Sequence, residues 1–139
     1  MIVLDTNVVS ELMKSDPSPI VLAWIDRQVD PFITAVTAAE LLYGVQRMPV
    51  GQRRTHVAAA IADMIDIDFA GRVLPFDVSA TVDYAELVVT RERAGRPIGM
   101  ADGMIAATAL SAGATQFATR NVRDFEGIGL PLIDPWTAI

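Results

Sequence analysis

Apolar and polar residues change their spacing several times along this chain, and each change marks an element. Met1-Ile2-Val3-Leu4 is a short unbroken apolar run that stops at Asp5-Thr6-Asn7, which predicts a buried strand over 2–4. Apolar residues then recur at helical spacing over about 7–13, and Ser15-Asp16-Pro17 closes that helix. Pro17 and Pro19 open a second helix carried by Ile20, Leu22, Ala23, Trp24, Ile25 and Val29, since proline suits a first helical turn; Pro31 stops it. Phe32-Ile33-Thr34 reads as a second strand.

Thr37-Ala38-Ala39-Glu40 has the form of a capping box, with Thr37 as N-cap and Glu40 in the first turn of a helix that ends before Pro49-Val50-Gly51. A long pattern over about 52–69 carries Val57, Ile61, Met64, Ile65 and Phe69 on one face, which leaves Asp63, Asp66 and Asp68 as a solvated face. Val73-Leu74-Pro75-Phe76 predicts a third strand, and Asp77 or Ser79 can cap the helix that follows to about Ala94. After the loop Gly95-Arg96-Pro97-Ile98-Gly99 comes an alanine-rich helix over about 100–112, with Met100 and Met104 expected in the core, ended by Gly113. Gln116-Phe117-Ala118-Thr119 is a fourth strand, Arg120 to Phe125 a loop, and residues 130–133 a last strand. This β–α alternation predicts one α/β domain over 1–139, built on a central parallel β-sheet of four to five short strands flanked by helices on both faces.

Composition narrows the functional classes. The chain is 52% hydrophobic, enough for a sizeable core. Its longest apolar runs fall well short of the ~18 residues of a membrane span. Asp5 interrupts the N-terminal apolar run at once, unlike a secretory signal, so a cytoplasmic location is expected. With no cysteine, disulfide and thiolate chemistry are excluded. The net charge of -6 argues against a broad basic nucleic-acid surface, unless acids converge on divalent cations that neutralise them. Lys14 is the only lysine, so the cations are nearly all arginine, suited to bidentate phosphate recognition. His56 is the sole histidine and reads as a surface residue.

The parallel-sheet prediction brings four acids to one rim. Asp5 follows the first strand, Glu40 the second, Asp102 opens the alanine-rich helix and Asp124 lies beyond the fourth strand; ligands bind beyond the carboxyl ends of such strands. Each acid also has a purely structural use. Asp5 can cap the helix after it, Glu40 can return to a backbone amide, and Asp124 can form an Asx turn. Asp102 is harder to explain that way, because it sits among Ala, Met and Ile, where an unpaired carboxylate is costly. Clustered carboxylates call for a cation, and oxygen ligands without His or Cys favour Mg²⁺ or Mn²⁺ over zinc. Arg91, Arg93 and Arg96, and beyond the fourth strand Arg120 and Arg123, are candidates for gripping the phosphates of a ligand; the first three equally suit a plain helix C-terminus.

Ile2-Val3-Leu4-Asp5-Thr6-Asn7, Thr37-Ala38-Ala39-Glu40-Leu41 with Gly44, Ala101-Asp102-Gly103-Met104-Ile105-Ala106-Ala107-Thr108-Ala109, and Ala118-Thr119-Arg120-Asn121 with Asp124-Phe125 together resemble the four motifs of PIN-domain ribonucleases. Their order, with the closing Pro135-Trp136, is most similar to VapC/FitB-type toxins of toxin–antitoxin modules, and the resemblance spans essentially the whole chain. It implies a PIN fold, an endoribonuclease site using Mg²⁺ or Mn²⁺, a homodimer, and inhibition by a cognate antitoxin whose basic segment enters the acidic site. Asp5, Glu40 and Asp102 match the most regular acids, and Thr6, Asn7 and Thr119 match polar positions that orient them. Asn121 stands where some members carry the fourth acid, with Asp124 three residues later, so either can fill that position. Two other functions remain open at the level of residues: a non-catalytic acidic pocket that receives an arginine-rich partner, and an aspartate-nucleophile phosphotransferase. The second usually has another Asp two residues after the first, where this chain has Asn7.

Overall fold

The computed structural model describes residues 1–138. Five short strands, β1 (Ile2–Leu4), β2 (Ile33–Thr34), β3 (Val73–Leu74), β4 (Gln116–Ala118) and β5 (Leu132–Ile133), pair in parallel. They form a three-stranded sheet, β1-β4-β5, and a two-stranded pair, β2-β3. Phe32 joins the two pieces by bridging Val3: Leu4 N donates to Phe32 O at 2.9 Å and Phe32 N to Ile2 O at 3.0 Å. The lateral order is therefore β3-β2-β1-β4-β5, and the direction of winding reverses between β1 and β4. In open α/β sheets the binding crevice lies at such a switch point, beyond the strands' carboxyl ends.

Alternation along the strands divides the core in two, because successive side chains point to opposite faces. Ile2, Leu4 and Ala118 pack on one side with Val8, Val9, Val21, Trp24, Val45 and Ile61. These come from α1 (Thr6–Leu12), α2 (Pro19–Ile25), α3 (Ala35–Gln46) and α4 (Gln52–Asp63). Val3 and Phe117 pack on the other side with Leu87, Ile105, Ala106 and Phe125, contributed by α5 (Val78–Arg93), α6 (Met100–Ser111) and the single turn α7 (Val122–Phe125). Gly103 permits the close approach of α6 to α5, since a Cβ there would stand 3.1 Å from Tyr84 Cε2 and 3.2 Å from Val88 Cγ2.

The helices on both faces match the expectation from the sequence, and several boundaries differ for local reasons. Thr37 is not an N-cap: Thr34 caps α3, accepting Thr37 N on its hydroxyl at 3.1 Å, so the helix starts three residues early and Glu40 lies in its second turn. The second helix stops at Ile25 instead of reaching Val29, and the long fourth helix relaxes into a π-helical turn over Met64–Asp68. Residues 120–125, expected as loop, contain α7. Asp77 rather than Ser79 caps α5, accepting Ala80 N at 3.2 Å. Met100 is 69% exposed rather than in the core. Asp63, Asp66, Asp68 and His56 are exposed, as their spacing predicts. Among the described residues, no helix is long and apolar enough to cross a membrane.

Candidate active site

Asp5 stands one residue beyond β1 and Thr119 one beyond β4. The register that pairs Leu4 with Ala118 therefore sets them side by side at the switch point. Asp5 is only 4% exposed and both of its oxygens are engaged: Oδ1 accepts Thr6 N and Oδ2 accepts the Thr119 hydroxyl, each at 2.8 Å. The Thr119 hydroxyl also accepts Asn121 N at 3.0 Å and Asn7 Nδ2 at 3.3 Å. Its single proton is thus committed to Asp5, and its lone pairs to the neighbouring motif. Asn7 completes the clamp, its Oδ1 accepting Arg120 N at 3.2 Å.

A second chain of hydroxyls orients Glu40. Thr34 donates to Thr37 Oγ1 at 3.4 Å, and Thr6 donates to Glu40 Oε1 at 2.7 Å. Thr6 and Thr37 are 2.9 Å apart, and since the Thr6 proton is spent on Glu40, Thr37 must be the donor between them. The capping-box reading of Glu40 is thereby replaced: its carboxylate turns to Thr6, not to the backbone of its own helix. Thr34 and Thr37 are buried members of the site that the sequence did not single out for it; the one signal was the polar Thr34 at a strand end, masked by the stronger-looking cap at Thr37.

The acids feel one another. Burial pushes the Asp5 carboxyl from its ordinary 3.8 to about 6, with the charges of Asp102 and Glu40 adding to the rise and the hydrogen bonds from Thr119 and Thr6 opposing it. Burial also raises Asp102, helped by Glu40 and then Asp124. All four predicted acids are therefore within electrostatic reach of Asp102 or Asp5. Asp5, Glu40 and Asp102 line a pocket of about 440 Å³ together with Thr6, Asn7 and Asn121, while Asp124 is exposed on α7 and is not part of that lining. Among the described residues, no three acids stand close enough to hold an ion by themselves. The oxygen donors instead suit a hard cation that keeps several waters and takes one or two carboxylates.

The arginines divide. Arg91 is buried, its Nε donating to Arg96 O at 2.7 Å and its Nη1 to Glu126 O, so the expectation that it grips phosphate gives way to a structural link between α5 and the segment after α7. Arg96 donates to Glu126 Oε2 at 2.6 Å and to Arg123 O at 3.0 Å. Arg93 and Arg123 are exposed and do not line the acidic pocket. Arg120 does line it, its guanidinium 4.8 Å from the ring centre of Trp136. Glu11 and Lys14, which sequence reasoning passed over, line it too; Glu11 is buried and pairs with Lys14 at 3.1 Å. The hydrogen bond from Lys14 holds the Glu11 carboxyl below its ordinary value, with a smaller contribution from the Arg120 charge.

Comparison with known proteins gives this geometry a context. The PIN domain family matches residues 2–129. VapC ribonuclease Y4jK of Sinorhizobium fredii is 48% identical over 138 residues, covering 98% of this chain and 98% of that protein. Toxin FitB of Neisseria gonorrhoeae is 37% identical over 138 residues, covering 98% and 99%. Among solved structures, FitAB bound to an IR36 DNA fragment superposes with a TM-score of 0.91 at 35% identity, covering 100% of this chain and 98% of that one.

Proposed function

Given that this chain belongs to the PIN-domain family, with VapC and FitB toxins as full-length relatives, we propose that it is an endoribonuclease toxin of a toxin–antitoxin module. It hydrolyses RNA phosphodiester bonds with Mg²⁺ or Mn²⁺ and is held in check by a cognate antitoxin. The observation that carries this reading is the buried Asp5, clamped between Thr6 and Thr119, its carboxyl raised chiefly by burial and further by the charges of Asp102 and Glu40. A fold spends stability to keep like charges together at a switch point only if a cation or a cationic group joins them.

When bound, a divalent ion supplies Lewis acidity and a water of lowered pKa. Asp5, Glu40 and Asp102 would hold it, one or two of them directly and the rest through water, and Asp124 or the Asn121 amide oxygen would complete the outer side. The Thr119 and Thr6 hydroxyls keep Asp5 and Glu40 aimed at the pocket without search, which is the preorganisation an electrostatic site needs. The second acid that an aspartyl-nucleophile site would need two residues after Asp5 is Asn7, whose side chain is engaged with Thr119 and the Arg120 backbone, so that reading gains no support. The same carboxylates suit an arginine of an antitoxin, which would displace the metal and inhibit. Exposed Val78, Val82 and Met100, which the single chain leaves to solvent, suit burial in a homodimer acting in the cytoplasm.

The test is cleavage of a defined RNA by partner-free protein across a Mg²⁺ or Mn²⁺ titration. Chelation and Asp102→Asn should each abolish cleavage while circular dichroism stays unchanged. Full activity under chelation or in the variant overturns the proposal.

A further inference from the structure

The acidic pocket also holds cations. Among the described residues, Lys14 and Arg120 are the two of the eleven lysine and arginine side chains that line it, together with Asp5, Glu40 and Asp102. Both are held in place by neighbours with no evident part in the carboxylate chemistry. Glu11, 6% exposed, accepts Lys14 Nζ on Oε1 and Ser18 N at 3.2 Å on Oε2, so it is a fixed anchor and not a free acid of the pocket. An ammonium has three donors, and one is spent on Glu11. Arg120 lies over the Trp136 ring, and no ion pair engages it among the described residues. Trp136 is itself pinned: its N donates to Asp134 Oδ1 at 2.9 Å, and its side chain packs on the core beside α2. Arg120 is fixed from the other end by its backbone bond to Asn7, the residue that also touches Thr119.

A chain of net charge -6 whose pocket gathers carboxylates repels a polyanion unless cations stand beside the cut. We infer that Lys14 and Arg120 form the phosphate grip of this pocket, seating a backbone phosphate next to the scissile one of a single-stranded RNA, with Glu11 and Trp136 as positioning residues. The inference rests on the ribonuclease reading above. Stacking leaves the guanidinium edge and its N–H fork free for phosphate, while the aromatic face removes the freedom that a lone surface arginine loses on binding. Lys14 adds a point charge to the lining of the same pocket.

The experiment measures binding of a short fluorescent single-stranded RNA, containing the cleaved sequence, to full-length protein carrying Asp102→Asn, across a salt series. Cleavage kinetics are measured in parallel in the active background. Arg120→Gln and Lys14→Gln should each weaken binding about 3- to 10-fold and lower the salt slope by about 0.7, one phosphate contact on single-stranded nucleic acid. In the active enzyme they should raise KM with little change in kcat. Trp136→Leu should weaken binding but keep the full slope, because the charge remains, and Trp136→Phe should restore affinity; a merely structural Trp136 would not separate these readouts. RNA cleavage by the parent with unchanged affinity, slope and KM in the Arg120 and Lys14 variants overturns the grip and leaves the ribonuclease reading intact. A parent that neither binds nor cuts RNA overturns both.

Discussion

Two aspartates in this molecule obey the same local rule and end in opposite states. Asp5 follows β1 and caps α1; Asp77 follows β3 and caps α5. Each accepts a backbone N–H from the first turn of its helix, Thr6 N in one case and Ala80 N in the other. Asp77 is exposed, and the Ser79 hydroxyl followed by Ala80 N holds its carboxyl below the ordinary range. Asp5 is buried beside Thr119, with Asp102 and Glu40 in range, and its carboxyl is pushed up to about 6. β3 lies at the sheet's edge and β1 at its switch point, where other elements deliver acids. A cap stabilises locally; the same cap inside an acidic ring becomes a charge that the metal-free fold has to tolerate.

The sharpest way to break this comparison is to neutralise each aspartate in turn. Asp5→Asn should lower the initial rate of metal-dependent RNA cleavage at least about 100-fold, the scale of removing one electrostatic group from a preorganised site. Asp77→Asn should leave the rate unchanged. Equal losses in both would mean that capping, not charge at the rim, is what cleavage requires.

Stability should move the other way. A carboxyl displaced from 3.8 unfolded to about 6 folded favours the fold when protonated. Its contribution is fully present below pH 3.8 and is lost as pH rises through about 6, a swing of about 3 kcal/mol for this buried group. In chelator at pH 8, Asp5→Asn should therefore be more stable than the parent by up to about 3 kcal/mol, and the gain should vanish near pH 4. Urea unfolding at the two pH values reads this directly; a variant less stable at pH 8 would show that the hydrogen bonds of Asp5 outweigh its burial.

The smallest effect belongs to the exposed cap. Asp77→Ala should lower the Tm by about 2 to 4 °C with cleavage unaffected, as loss of one N-cap predicts for a chain of this size. Its carboxyl is depressed in the fold, so the stability it adds is present above its unfolded value and fades as the solution is acidified through the folded one. Scanning calorimetry at neutral and acidic pH should show the difference between variant and parent shrinking with acid.

Much of the architecture was legible in the chain. Ile2-Val3-Leu4 ending at Asp5 announced a buried strand with an acid at its end, and the alanine-rich stretch around Asp102 announced a packed helix with an expensive carboxylate, because burial period and charge are written residue by residue. Legibility failed where two local solutions competed. Thr34 and Thr37 can each cap a helix, and the choice fell to Thr34 because α3 begins directly at the end of β2. Arg91 and Arg120 both lie in arginine-bearing segments near the site; tertiary packing buried the first against backbone carbonyls and laid the second on Trp136.

What the sequence determined by itself was the alternation of strands and helices, the identity of the acids and the hydrophobic faces, since periodicity and residue chemistry are local properties. What only the tertiary structure decided was which hydroxyls orient those acids and which cations share their pocket. Parallel pairing of β1 with β4 sets Asp5 against Thr119 from 114 positions away, and the β2–α3 junction hands Glu40 to Thr6. Contacts at that separation depend on strand order and register, which no local pattern encodes.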